Sequence, residues 1–139
     1  MKLLKKVIIK QSLIKEYVKP FVSVYAIVFS PYNRKKTNKY YIASSIDTDR
    51  KVREHFLNLS KGKHRNKEMQ TDYNKWHKWF FKYKNLMKIR DSDKLRMNIN
   101  ELYSKLDRLE QQQLNKFKNQ LYNKRVSSRR TIGRSMNTY

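Results

Sequence analysis

The side chains best suited to chemistry in this sequence crowd into residues 38–56, NKYYIASSIDTDRKVREHF. Two tyrosines on a strand-like stretch run into paired serines, then into a capped, strongly basic segment that closes on His55 and Phe56. Arg and Lys at this density are phosphate-binding groups, so the chemistry to look for is that of a polyanion. No cysteine occurs, which excludes disulfides, thiolate zinc sites and cysteine nucleophiles.

The whole chain carries the same bias. Lys and Arg number 34 against 11 Asp and Glu, a formal charge of +23 on 139 residues, about the size of one domain. Solubility alone needs a net charge of only about 2–8 in a small domain. Nucleic acid is therefore the expected partner, ahead of a membrane surface, because the apolar residues are scattered instead of forming one stripe. No apolar run approaches the ~20 residues of a membrane span, and nothing points to a small-molecule substrate. Residues 1–20 are basic, with lysines breaking the aliphatics and no small-residue cleavage site, so they read as mature protein. Two glycines and two prolines beside abundant Lys, Asn, Tyr and Ile match an AT-rich coding sequence, as in organellar and some phage or bacterial genomes.

Around the chemical stretch, the elements that must position it can be placed. Residues 21–29, FVSVYAIVF, predict a buried strand, SPYNRKKTN a polar loop, and KYYIASS the partner strand of a hairpin. Asp47 or Thr48 caps a helix through about Ser60, with Val52, Phe56 and Leu59 on one face and Gly62 as its stop. A second helix over 66–77 carries Met69, Tyr73 and Trp76, and WFFKYKNLMKI predicts a third strand. Asn98 and Glu101 form a capping-box pattern, although Ser92 offers an earlier start. Leu95, Ile99, Leu102, Leu106 and Leu109 make a seam that continues, with a slip, through Leu114, Phe117 and Leu121. The fold class is α+β: a small mixed β-sheet with a hairpin, flanking helices, a long C-terminal helix and a basic tail. The expected division is a basic segment over 1–20, a domain over 21–107, a continuing helix over 108–124 and an extended basic tail over 125–139.

The block from Ser23 to Lys75 closely resembles the GIY-YIG nuclease domain, especially that of homing endonucleases. Ser23-Val24-Tyr25 stands for Gly-Ile-Tyr, and Tyr41-Ile42-Ala43 for Tyr-Ile-Gly. "SS", "REHF", "LSKGKHRN", "Q" and "YNK" follow in the family's order. The resemblance covers about residues 21–107. It implies phosphodiester cleavage with one Mg²⁺, two motif tyrosines and a helix arginine around the phosphate, and a metal-binding glutamate. A phenol there can move a proton, a guanidinium can grip phosphate in two places, and a carboxylate is a hard metal ligand. The implied site residues are Tyr25, Tyr41, Lys51, His55 and His64.

Four departures matter. Lys51 holds the arginine position and loses the bidentate fork. The glutamate position falls on Asn100, which leaves no metal ligand there; Glu101 is adjacent, and a one-residue shift of the alignment would restore it. Ser23 and Ala43 replace the signature glycines. The reading that follows is a nuclease-derived binder without cleavage or cofactor. It is expected to bind rRNA beside neighbouring ribosomal proteins in a mitochondrial or other organellar ribosome. The alternative is an active, Mg²⁺-dependent DNA endonuclease. Phosphate-binding residues are expected at Arg34, Lys35, Lys36, Lys39, Arg50, Lys51, Arg53, Lys61, Lys63, Arg65, Arg125, Arg129, Arg130 and Arg134. Of the aromatics, Tyr32, Tyr40 and Tyr83 are the base-stacking candidates, and Trp76, Trp79, Phe80 and Phe81 mainly core.

Overall fold

The computed structural model describes residues 22–123. Three antiparallel strands, β1 (Ser23–Phe29), β2 (Lys39–Ser45) and β3 (Phe81–Lys88), lie in the order β2-β1-β3. β1 is central and buried on both faces, which is why it reads as an unbroken apolar run. The β1–β2 register sets Tyr25 opposite Ala43 and Ile27 opposite Tyr41, and a bulge between Val24 and Tyr25 shifts the pairing with β3. The strands pair antiparallel throughout; the parallel component is a single bridge, Tyr40 to Leu121.

Helices cover both faces. α1 (Thr48–Ser60) and α2 (Lys67–Trp76) pack on the face bearing Tyr25, Ile27, Phe29, Tyr41 and Ala43. A one-turn α3 (Asp91–Lys94) precedes α4 (Ile99–Lys116), which covers the other face through Val24, Ala26, Val28, Tyr40 and Ile42. The side chains of Asp47, Asn66 and Asn98 cap α1, α2 and α4, each accepting a backbone N–H of the first turn. Gly62 turns the chain just after α1 with a φ of +72°, the left-handed region; there is open space around it, so backbone freedom and not room is what the position requires.

The leucine seam does cover the sheet, but with a different membership. Leu102, Leu106, Glu110 and Leu114 face inward at strict four-residue spacing, while Leu95 and Ile99 are exposed. The helix expected to continue over 108–124 stops at Lys116. Phe117 leaves helical geometry to stack on Tyr40 at 4.3 Å, and a 3₁₀ turn (Lys118–Gln120) returns the chain to the open edge of β2. There Tyr122 donates its N–H to the Tyr40 carbonyl. Asn123 then replaces a missing strand: Oδ1 accepts from Ile42 N–H and Nδ2 donates to Ile42 C=O, both at 2.9 Å. A sheet edge left with unpaired N–H and C=O groups is a pairing hazard, and this segment closes it. The N-terminal segment and the arm with Arg125, Arg129, Arg130 and Arg134 lie outside the described residues.

Candidate active site

Tyr25 and Tyr41 project from adjacent strands toward α1, because odd positions of β1 and β2 share that face. On α1, Lys51 and His55 are four residues apart and lie on one side of the helix. His64 arrives from the turn after α1 and is 1% exposed. Gln70 fixes that turn: its Oε1 accepts from His64 N–H and its Nε2 donates to the Leu59 carbonyl, both at 2.9 Å.

These side chains form one hydrogen-bonded line. Tyr25 Oη lies 2.9 Å from His55 Nε2, and His55 Nδ1 lies 2.9 Å from His64 Nε2. His64 Nδ1 accepts the backbone N–H of Asn66 at 3.0 Å. That last bond fixes the rest. His64 Nδ1 carries no hydrogen, so Nε2 does and donates to His55; His55 then carries its hydrogen on Nε2 and donates to Tyr25. The opposite polarity would leave His64 with no hydrogen on either nitrogen. Every donor in the line points toward the phenol.

Electrostatics agree with neutral rings. Burial, then His64, Lys51 and Arg65, push His55 down to about 3, and burial with Arg65 pushes His64 down to about 4. Burial, followed by Tyr41 and Glu110, pushes the Tyr25 phenol well above its usual range. Tyr41 closes the cluster, with its ring edge-on to His55 at 5.2 Å and to His64 at 5.3 Å.

A cavity of about 230 Å³ opens above this line, and Lys51, Arg65, Glu54, Asn58 and Ser44 complete its walls. Lys51 and Arg65 bring cations to the pocket. Among the other expected phosphate ligands, Lys39 is tied to Glu68 and Asp72, and Arg50 to Glu54 and Asp47. Arg34, Lys35 and Lys36 are exposed on the hairpin tip, Arg53 on α1, and Lys61 and Lys63 on the turn after it.

Asn100, where the ungapped reading set the glutamate position, does not line this cavity. Asn100 and Glu101 sit on the exposed first turn of α4, where Glu101 accepts Asn98 N–H in the capping box. They line a different, shallow depression with Lys105 and Arg108. One carboxylate further along the same helix lies directly behind Ser44, a residue of the cavity wall. Glu110 is fully buried, accepts the Ser44 hydroxyl at 2.7 Å, and is near enough to raise the Tyr25 phenol. An enclosed carboxylate is costly unless something charged or hydrogen-bonding meets it, and the Ser44 hydroxyl meets this one in part. Its sequence signal was its place at the inward spacing of Leu102, Leu106 and Leu114.

The site fits a Mg²⁺ held by one carboxylate with substrate phosphate and water as further ligands. It does not fit an imidazole-bound transition metal, since both histidines are committed to their hydrogen-bonded line. No group of three or more His, Cys, Asp or Glu among the described residues could hold a metal.

Two departures from the family pattern build contacts here. Ser23 hydrogen-bonds Thr48 at 2.7 Å across the β1–α1 junction, and Ala43 lines the cavity beside Tyr41. Of the stacking candidates, Tyr32 is 61% exposed, while Tyr40 is buried against Phe117. Trp79, expected in the core, is 82% exposed.

No protein-family model matches the sequence, and no curated protein matches it in a sequence comparison. Among solved structures, the catalytic domain of intron endonuclease I-TevI, in a point-mutant form, superposes with a TM-score of 0.55 at 21% identity, over 77% of this chain and 96% of that one. That share is larger than residues 21–107 amount to. The chain is therefore built on the GIY-YIG nuclease fold.

Proposed function

We propose that this chain is a Mg²⁺-dependent nuclease that hydrolyses phosphodiester bonds in nucleic acid. The observation that carries the reading is the line Asn66–His64–His55–Tyr25, whose donors all point at one phenol. Because His55 donates to Tyr25 Oη, the phenol's own hydrogen is free for the cavity. Tyr25 can give that proton to a substrate oxygen, and the His55 N–H then meets the resulting phenolate. Lys51 and Arg65 supply charge for the phosphate oxygens. A bound Mg²⁺, held by Glu110, would neutralise developing charge on the phosphate. A surface that only bound phosphate would need none of the buried, oriented groups.

A second reading is favoured by Lys51 itself, which stands where the family has arginine and offers a point charge in place of a fork. On it, the chain binds without cutting, as an rRNA-binding component of an organellar ribosome, with neighbouring ribosomal proteins as partners. One experiment separates the two. Purified protein is incubated with duplex DNA and with structured RNA, with Mg²⁺ and with chelator. We expect Mg²⁺-dependent cleavage that falls by at least ~10²-fold in Tyr25→Phe and Glu110→Gln, with both variants still melting cooperatively. Cleavage absent in the parent, or unchanged in both variants, leaves the second reading standing.

A further inference from the structure

The opposite face of the sheet holds a second cavity of about 230 Å³, at the hairpin-tip end that α4 leaves open. Its floor is Val28 and Tyr40, and its rim carries Arg34, Lys35, Lys82 and Lys84. Lys82 and Lys84 reach it because they pair with Val28 and Ala26 and so share their face, away from Tyr25. Unlike Lys39 and Arg50, none of these four cations meets a carboxylate among the described residues. Four like charges around one basin repel each other unless an anion joins them.

Two further observations point to a ligand. Asn38 lines the cavity, is only 8% exposed, and has its Oδ1 enclosed without a hydrogen-bond partner. The oxygen and nitrogen of an amide exchange on a half-turn, so this side chain can present N–H to an anion instead. The loop behind it is already fixed: Gln120 Nε2 donates to the carbonyls of Lys35 at 2.7 Å, Lys36 at 3.4 Å and Asn38 at 2.9 Å. That occupies the carbonyl oxygens that would repel an anion and holds Arg34 and Lys35 in place before binding.

We propose that this basin binds a backbone phosphate of nucleic acid, so that the chain grips its polymer on both faces of the sheet. The inference rests on the nucleic-acid-binding half of the function proposed above, not on cleavage. The test is duplex binding by the full chain in chelator, read as the slope of log K against log salt with a fluorescein-labelled duplex of mixed sequence. Combined Arg34→Gln, Lys82→Gln and Lys84→Gln substitution should lower the slope by about 0.9 for each phosphate no longer neutralised. A control with Lys75→Gln, Arg108→Gln and Lys118→Gln removes the same charge from other exposed positions and should change it by less than half as much. Asn38→Leu, which alters no charge, should weaken binding several-fold while the thermal transition persists. Equal slopes in the two triple variants overturn the proposal. So does competition by inorganic pyrophosphate that depends on the basin while duplex affinity does not, because the site would then serve free phosphate. If the parent binds no duplex at all, both this site and the nucleic-acid reading fall. If binding and slope behave as expected but nothing is cut, only the nuclease reading does.

Discussion

Ser44 on β2 donates its hydroxyl to Glu110 on α4 at 2.7 Å, across the sheet edge that separates the two helical layers. The bond brings a carboxylate from the α4 side against Ser44, which lines a cavity whose tyrosines and histidines belong to the α1 side. Glu110 should therefore be essential for activity, and Asn100 dispensable. Asn100→Glu should leave metal-dependent cleavage within about twofold, since that position is exposed on another surface. Ser44→Ala should lower activity by less than Glu110→Gln does, with Mg²⁺ titration of the cleavage rate moving to higher concentration.

The two depressed histidines make stability depend on acid. Both ordinarily titrate near 6.5 but fall to about 3 and about 4 when folded. Below pH 6.5 the unfolded chain takes up protons that the folded chain refuses, so stability is full above that pH and is lost as pH falls toward 4. Each imidazole adds a slope of up to about 1.4 kcal/mol per pH unit in that window. Chemical denaturation between pH 7 and 4 should show the loss, and His64→Gln should flatten it.

Ser23 tests whether replacing a signature glycine loosened the fold. Its hydroxyl joins Thr48 inside the β1–α1 junction, where both residues are fully buried. Ser23→Ala should cost about 1–2 kcal/mol, because the Thr48 hydroxyl then keeps only its long 3.5 Å bond to the Ser45 carbonyl. Ser23→Gly should cost at least as much, a strand glycine adding about 0.5–1 kcal/mol. A stabilised glycine variant in urea melts would show the junction to be strained.

Asn123 closes the β2 edge, so truncations should divide sharply there. Deleting residues 126–139 removes none of the hydrogen bonds that close this edge and should leave the thermal transition in place. Deleting residues 122–139 takes away both Ile42 bonds and the Tyr122 hydrogen bonds with Asn66 and Asp72, and should lower the midpoint by at least ~10 °C. The shorter deletion should still reduce the salt slope of RNA binding if Arg129, Arg130 and Arg134 touch phosphate.

Local signals made most of the frame legible in the sequence. The apolar run at 21–29 and the caps at Asp47 and Asn98 act within a few residues of themselves, and the structure has elements at Ser23–Phe29, Thr48–Ser60 and Ile99–Lys116. What was hidden depends on contacts far apart in the chain. Glu110 shares the four-residue spacing of the inward leucines, but its contact with Ser44, 66 positions earlier, has no sequence signal. Asn123 carries no pattern at all, since its role is to imitate a strand for Ile42, 81 positions away. The tyrosines and histidines of the family block line one cavity, but the stretch after β3 has no motif to count from. Counting without gaps therefore leads to Asn100, on the exposed first turn of α4, and passes over the buried carboxylate of Glu110.

The closure of β2 by Asn123 also sets an order of events during synthesis. The hairpin, α1 and the His64 turn emerge early, but the outer rim of β2 has no partner until the last described residue is made. Until then the nascent chain presents a bare strand edge to any neighbouring polypeptide. Chains made close together could then exchange this segment, each covering the other's rim. A mutation that slows docking of residues 121–123 should raise the yield of such exchanged pairs before it lowers the stability of the finished monomer.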